Sequence, residues 1–435
     1  MSNLSELAGN GRHALETAAL TDVGLRRSNN QDTLAIALAG DDFDWQRRGH
    51  LFMVADGMGA HAAGELASKI ACETVPHTYR KVLERPPAEA LYQAVLTANL
   101  HIHERGQANA EFQGMGTTCS VLVLLPRAAL VAQVGDSRVY RLRGNKLEQL
   151  SFDHSLVWEM TAAGQMPRGE IASFIPKNII TRSLGPRADV QIDLEGPFPL
   201  EAGDTFLLCS DGLSGQIKDE EIGAILSVLS PQEAVRLLID MANLRGGPDN
   251  ITAVVARVTS VPAADAEDQA SKEPLPAATS HPALWISLAV CVLFAIGLAL
   301  TENYFPAMIS ILVAAAIATL ALVKTFGAGS IHTDLALGAP LGKGPHSACA
   351  CAPDAELAAV FCQLAQQLRQ AAKEEHWTLD WGRFNAYSEQ AQTALQKKQF
   401  AEAVRQYALA ITFMMNEIRN QPSPKNQRDR SVLDL

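Results

Sequence analysis

The stretch Leu51–Ser68, LFMVADGMGAHAAGELAS, decides how the rest of the chain is read. An apolar run, Leu51 to Ala55, ends abruptly on Asp56, with Gly57 and Gly59 behind it and a helical pattern after that. A short unbroken apolar run bounded by such breaks reads as a buried strand. A carboxylate at the end of a buried strand stands on a rigid support and still reaches solvent. Glycine next to it lets other backbone come close.

The pattern recurs. AALVAQVGDSR carries an apolar run into Asp136, and DTFLLCSDG carries another into Asp211. Asp249 stands in GGPDNITAVVARV, at the mouth of a further strand. The helix before it is marked by Ser230 as N-cap, Pro231 at its first position and Glu233 closing a capping box; Gly246 and Gly247 stop it. Upstream, TDVGLRRSNNQD offers Arg27, whose planar donor fork suits phosphate oxygens, and Asp32 five residues later. One Asp-Gly alone turns a hairpin. Several carboxylates at strand ends suit oxygen ligation of hard cations such as Mg2+ or Mn2+. Two such ions can make a shared water nucleophilic at neutral pH.

The 435-residue chain has room for a large core and at least one appendage, and its net charge of -11 argues against a nucleic-acid partner. Seven scattered cysteines give no disulfide framework and favour a reducing compartment. The cluster His346, Cys349, Cys351 and Cys362 matches no common zinc spacing and reads as incidental. The N-terminal residues lack the basic start and apolar run of a signal peptide.

Organisation follows from composition. Residues 14–258 alternate apolar runs, helical patterns and glycine breaks, as a folded domain does; 259–282 turn rich in Pro, Ala and acids and read as a linker. Residues 283–323 hold two apolar runs around TENYFP, with Glu302 the one charge, and read as a transmembrane helical hairpin. Lys324 and Lys343 flank it and point both flanks to the cytoplasm. Residues 324–353 read as a second linker. Residues 354–420 read as helical, with Leu357, Val360, Phe361, Leu364 and Leu368 at helical spacing. Within them Ala403, Tyr407 and Ala410 fall where a tetratricopeptide repeat places small, large and small residues. Residues 421–435 read as a disordered tail.

Taken in order, TDVGLRRSNNQD, VADGMGAHAAGE, GMGTT, VGDSRVYRLR, DHS, TRSLG, LLCSDGLSG and GGPDNIT resemble the motifs of the metal-dependent protein phosphatases. These are the type 2C Ser/Thr phosphatases, here in their bacterial form, and the resemblance covers about residues 14–258. It implies an α+β fold, a four-layer α-β-β-α sandwich with the metals at one end, followed by the two transmembrane helices and a small all-α region. It implies hydrolysis of phosphoserine and phosphothreonine by a metal-bridging hydroxide, with two Mn2+ or Mg2+ ions and a third, looser one. Carried over residue by residue, Asp56 bridges the two ions and the Gly57 carbonyl binds one. Asp211 and Asp249 complete a shell, Asp32 holds the other ion through water, and Asp136 serves the third. Arg27 clamps the phosphate, and His61 is the candidate acid for the leaving group. The chain departs from the family at Gln31, where Glu is common, at Ala60, where the motif has Gly, and at Met58, where animal members carry a histidine. The segment between DHS and TRSLG corresponds to the family's flap.

The expectation is therefore a phosphatase of the inner (cytoplasmic) membrane, two-pass, with catalytic domain and tail in the cytoplasm. Its partners would be phosphorylated substrates of a Ser/Thr kinase, the membrane through 283–323, and a protein bound by the C-terminal helices. The alternatives are a catalytically weak phosphoprotein-binding scaffold and a phosphatase dedicated to a sigma-factor regulator.

Overall fold

The structure, a computed structural model, describes residues 15–59, 62–164, 179–261, 340–377 and 379–419. The chain order begins β1 (Leu15–Asp22), β2 (Asp32–Ala37), α1 (Asp42–Arg48), β3 (His50–Met58), α2 (Ala63–Lys81) and α3 (Pro87–Ala108). It continues with β4 (Gly116–Thr117), β5 (Cys119–Leu124), β6 (Ala128–Val134), β7 (Arg138–Arg143), β8 (Lys146–Gln149), α4 (Leu156–Ala162), β9 (Asp193–Pro199) and β10 (Thr205–Cys209). Then come α5 (Asp211–Ser214), α6 (Asp219–Val228), α7 (Pro231–Leu244) and β11 (Ile251–Val258). The C-terminal part adds β12 (Ser347–Ala350), α8 (Ala355–Glu374), α9 (Trp381–Gln396) and α10 (Phe400–Arg419).

Period-two alternation builds the layers. On β10, Phe206 and Leu208 enter the same apolar cluster as Val254, Ala256 and Val258 of β11 and Phe52 and Val54 of β3. Their neighbours Leu207, Cys209, Ala253 and Val255 belong instead to the cluster that includes α6 and α7. Each strand thus serves a core on both faces, which explains why these runs read as continuously apolar. One sheet runs β1-β11-β10-β7-β8-β12 and the other β2-β3-β5-β6-β9, with β4 beside β3. Helices α2 and α3 cover the second sheet, and α6 and α7 the first. This is the expected α-β-β-α sandwich. The α7 capping box forms as expected, with Glu233 Oε2 accepting from Ser230 N at 3.0 Å and Ser230 Oγ accepting from Glu233 N at 3.4 Å.

The C-terminal part departs from expectation. Residues 324–353 do not end as a linker: β12 pairs antiparallel with β8, Ser347 against Gln149 and Ala350 against Lys146, and so extends a sandwich sheet. Just before it, the Glu195 carboxylate of β9 accepts from Lys343 N at 2.8 Å, Gly344 N at 2.7 Å and His346 Nε2 at 2.9 Å. The returning chain is therefore fastened to both sheets. Helices α8–α10 share one apolar cluster with α6, α7 and the outer face of the first sheet. The inward stripe of α10 is Ala403, Val404, Tyr407, Ala410, Ile411 and Met414. On α8 the buried seam is Ala358, Phe361, Ala365, Leu368 and Ala372, while Val360 is exposed. Small alanines let the helix approach closely, so they rather than Val360 occupy the seam. Arg419 of α10 pairs with the buried Asp240 of α7. The apolar faces of these helices are taken up by the sandwich, and their packing gives no support to the expected protein partner.

The expected transmembrane hairpin, residues 283–323, lies outside the described residues, as does the tail 421–435. Among the described residues no helix is long and apolar enough to cross a membrane.

Candidate metal centre

Asp56 sits near the end of β3, and the GTT motif holds its backbone. Asp56 N donates to Thr118 Oγ1 at 2.8 Å, while Asp56 O accepts from Thr118 N and from Thr117 Oγ1, each at 2.9 Å. Thr118 Oγ1 also lies 2.7 Å from Ser137 Oγ, which links Asp56 to the loop that carries Asp136. Gly57 N donates to Gln31 O at 3.1 Å. A Cβ on Gly57 would come within 2.1 Å of Gly64 O, so only glycine lets β3 pass the start of α2.

Strand register puts Asp32 directly opposite Asp56. Asp32 Oδ2 accepts from Ser210 Oγ and Thr252 Oγ1, each at 2.7 Å, so a carboxylate from one sheet is held by hydroxyls from the other. Asp211 opens α5, directly after Ser210, whose hydroxyl holds Asp32. Asp249 Oδ2 accepts from Arg27 Nη2 at 2.8 Å, with the Arg27 side chain half exposed at the rim. Asp32, Asp56, Asp211 and Asp249 thus gather at one end of the sandwich, with Asp136 joined to them through Ser137 and Thr118.

The electrostatics are those of a site short of positive charge. Burial pushes Asp32 up to about 7 against the pull of the two hydroxyls. Burial, then the Asp211 charge, raises Asp136 to about 7. Asp56 is raised well above the usual carboxylate range by burial and by Asp32, and Asp211 is raised by burial and by Asp249. Asp32 Oδ1, Asp136 Oδ1 and Asp211 Oδ1 are buried with no partner among the described residues. Buried carboxylate oxygens without donors are expensive unless a cation meets them. Among the described residues no three acidic, His or Cys side chains are drawn in around one point. Asp249 is instead paired with Arg27. The all-oxygen donor set, the orphaned oxygens and the Gly57 approach fit hard divalent cations.

Asn250 is the residue that sequence reading passed over. Nearly buried, it donates through Nδ2 to Val23 O and Asn29 O at 2.9 Å each and accepts from Gln31 N at 2.8 Å. Together with Gly247 O, which accepts from Leu25 N at 2.8 Å, it sets the loop that presents Arg27. Its place beside Asp249 was the available signal; its three partners are set by tertiary contact. An Asn250→Ala change would leave those backbone groups unmatched. The chain is expected to lose about 2–4 kcal/mol by denaturant titration. Its kcat/KM should fall about tenfold or more as the Arg27 loop shifts. Unchanged stability and rate would refute the role.

His61 and Ala60 lie outside the described residues, as do 165–178 of the flap. The described part of the flap begins with α4, and the Ser155–Ile180 bridge and the Thr181 N donation to His154 O close its base. Arg138 pairs with Asp153 and Arg182 with Asp193, so both are held in structural ion pairs. His346, Cys349, Cys351 and Cys362 gather no metal set among the described residues.

The protein phosphatase 2C family model matches residues 26–244. The protein phosphatase PhpP of Streptococcus pneumoniae is 39% identical over 248 residues, which is 55% of this chain and 95% of that protein. The serine/threonine phosphatase stp of Listeria welshimeri is 34% identical over 240 residues, covering 54% of this chain and 92% of that protein. Among solved structures, the serine/threonine phosphatase PstP/Ppp of Mycobacterium tuberculosis superposes with a TM-score of 0.50 at 34% identity, covering 56% of this chain and 98% of that one. Stp1 of Staphylococcus aureus superposes with a TM-score of 0.51 at 32% identity, covering 56% and 95%.

Proposed function

The chain belongs to the protein phosphatase 2C family and is a metal-dependent Ser/Thr protein phosphatase that uses Mn2+ or Mg2+; on that premise we propose which residues hold the ions and where the enzyme works. Asp56, Asp211, Asp249 and the Gly57 carbonyl hold the catalytic ions, Asp32 supports them, and Asp136 serves a further one. The observation that carries this is the set of buried, donorless carboxylate oxygens at one end of the sandwich.

Charge explains the metal requirement. Among the described residues the five aspartates outnumber the arginines that act on them, Arg27 and Arg138, so a phosphomonoester dianion is repelled unless cations offset them. When bound, Mn2+ or Mg2+ polarises the phosphoryl group and lowers the pKa of a water enough for attack at neutral pH. Arg27 orients the phosphate, since its fork has donors beyond the one on Asp249 Oδ2. Thr117 and Thr118 fix the Asp56 backbone, and Ser210 and Thr252 hold the Asp32 carboxylate. The test is an assay of the full chain on p-nitrophenyl phosphate and a phosphothreonine peptide with Mn2+, Mg2+ or EDTA. Metal-dependent turnover that rises in KM on Arg27→Ala is the expected result. Metal-independent turnover, or none with a folded chain, would sink the assignment.

The substrates are phosphoproteins made by a Ser/Thr kinase, and residues 283–323 tether the enzyme to the cytoplasmic membrane as a two-pass hairpin. The two apolar runs around TENYFP support the hairpin, and the chain leaves one compact unit at Val261 and rejoins it at Gly342. An excursion that leaves and returns to one body crosses a membrane an even number of times. Fractionation of cells expressing the full chain should find it in membranes after alkaline carbonate washing. Recovery in the soluble fraction would overturn the tether.

A further inference from the structure

A cavity of about 920 Å³ opens between the flap helix α4, strand β9 and the returning segment Gly342–Ser347. This lies within the usual range for a ligand site. Its walls include Phe152, Trp158 and Ile192, with Gln149, Lys343 and His346 adding polar groups. The Phe152 ring meets Trp158 edge-on at 5.5 Å and His346 at 5.3 Å, so the apolar wall joins the flap to the returning segment.

The cavity flanks the metal end. Arg138, which lines it, follows Asp136 by two residues and pairs in register with Cys209, two residues before Asp211. Asp193, also lining it, accepts from His154, whose Nδ1 accepts from Gly135 N at 3.0 Å beside Asp136. A chain segment passing out of the catalytic end would meet this opening.

Most of its charges are closed. Asp193 is bound by His154 and Arg182, and Glu195 by the returning segment. Arg138 is tied to Asp153, and Asp219 accepts from Tyr140 O–H at 2.9 Å. Lys343 is exposed, and its amine has no partner among the described residues. Gln149 is nearly buried; its Nε2 is committed to Ser151 O and Asp153 Oδ1, while its Oε1 has no donor among the described residues.

We propose that this cavity is a docking subsite for the segment of the phosphoprotein that flanks the phosphorylated residue, taking an aliphatic or aromatic side chain next to an acidic one. The apolar residue packs on Phe152 and Trp158, the acidic residue meets Lys343, and a peptide N–H supplies the donor that Gln149 lacks. One wall comes from beyond residue 341, so the returning segment is a specificity element of the catalytic domain. The inference rests on the phosphatase reading.

Two phosphothreonine peptides test it on the full chain with Mn2+, one carrying Leu and Glu beside the phosphothreonine and one carrying Ser and Lys. The unaltered chain is expected to prefer the first by about tenfold or more in kcat/KM. Lys343→Glu, an exposed change, should cut or invert the ratio, and Trp158→Ala should remove the part due to Leu. Equal kcat/KM for both peptides, or a ratio that neither variant moves, would overturn the subsite while leaving p-nitrophenyl phosphate turnover intact. Absence of p-nitrophenyl phosphate turnover in the unaltered chain would sink the phosphatase reading and the subsite with it.

Discussion

Asp211→Asn is expected to lower metal-dependent turnover by at least about 100-fold, since even outer-shell partners of a metal cost 10–100-fold, and yet to raise the melting temperature of the metal-free protein. Asp211 is half-buried at the start of α5, with its Oδ1 buried and unpartnered among the described residues. Its amide keeps the shape and removes one of the charges that raise Asp32, Asp56 and Asp136. The pH dependence follows from the sign of those shifts. Acids whose folded pKa lies above the unfolded value bind protons more tightly when folded, so their stabilisation is complete below the unfolded pKa and is lost as pH rises through the folded one. For Asp32 and Asp136 that window runs from 3.8 to about 7. Metal-free protein should therefore melt progressively lower across it, Asp211→Asn should flatten the slope, and saturating Mn2+ should reverse it in the unaltered chain. Calorimetry at several pH values, with and without EDTA, reads all three. Near-normal turnover, or a lower metal-free melting temperature at pH 7 than the unaltered chain, would refute the assignment of Asp211.

Cutting the chain after Val261 is expected to give a domain that aggregates or melts at least about 10 °C lower, because it bares core surface. The cut removes β12 from the edge of β8 and strips α8–α10 from the cluster they share with α6 and α7. It leaves an open strand edge and an apolar face, both routes to self-association. Adding back residues 342–435 should restore solubility if the interface is as extensive as the shared core implies. A milder change probes the same contact. Arg419→Met leaves Asp240 under α10 without its partner, and should cost about 2–4 kcal/mol, somewhat less than a fully buried pair because Arg419 is partly exposed. A truncated domain as stable as the full chain would show that the helices merely rest on the sandwich. The solved relatives correspond to only 56% of this chain, so a stable isolated relative does not answer the question.

Much of the catalytic half was legible from local sequence. Continuous apolar runs marked strands buried on both faces, Ser230, Pro231 and Glu233 marked the start of α7, and each strand-end aspartate stood where its run stopped. These signals lie within a few residues of the groups they describe. Helix caps and strand periodicity act over a single turn or pleat, so the chain itself carries them. The SACA strand gave no such signal: as an edge strand with alternating partial exposure it lacks an apolar run. The helical spacing on α8 placed Phe361 and Leu368 in its buried seam, but the alanines beside them, selected by close helix approach, carry no hydrophobic signal.

Local sequence set the strand ends, the carboxylates mounted on them, the helix boundaries around α7 and the kind of chemistry such oxygens support. Long-range packing put Asp32 in register with Asp56, brought Ser210 and Thr252 across from the other sheet to hold it, and let Asn250 set the Arg27 loop. It alone decided that the chain returns after residue 341 to complete a sheet and bind Glu195, about 150 residues earlier in sequence. Contacts of that separation depend on the closure of long loops and on the sum of packing elsewhere, and no stretch of sequence near either partner records them.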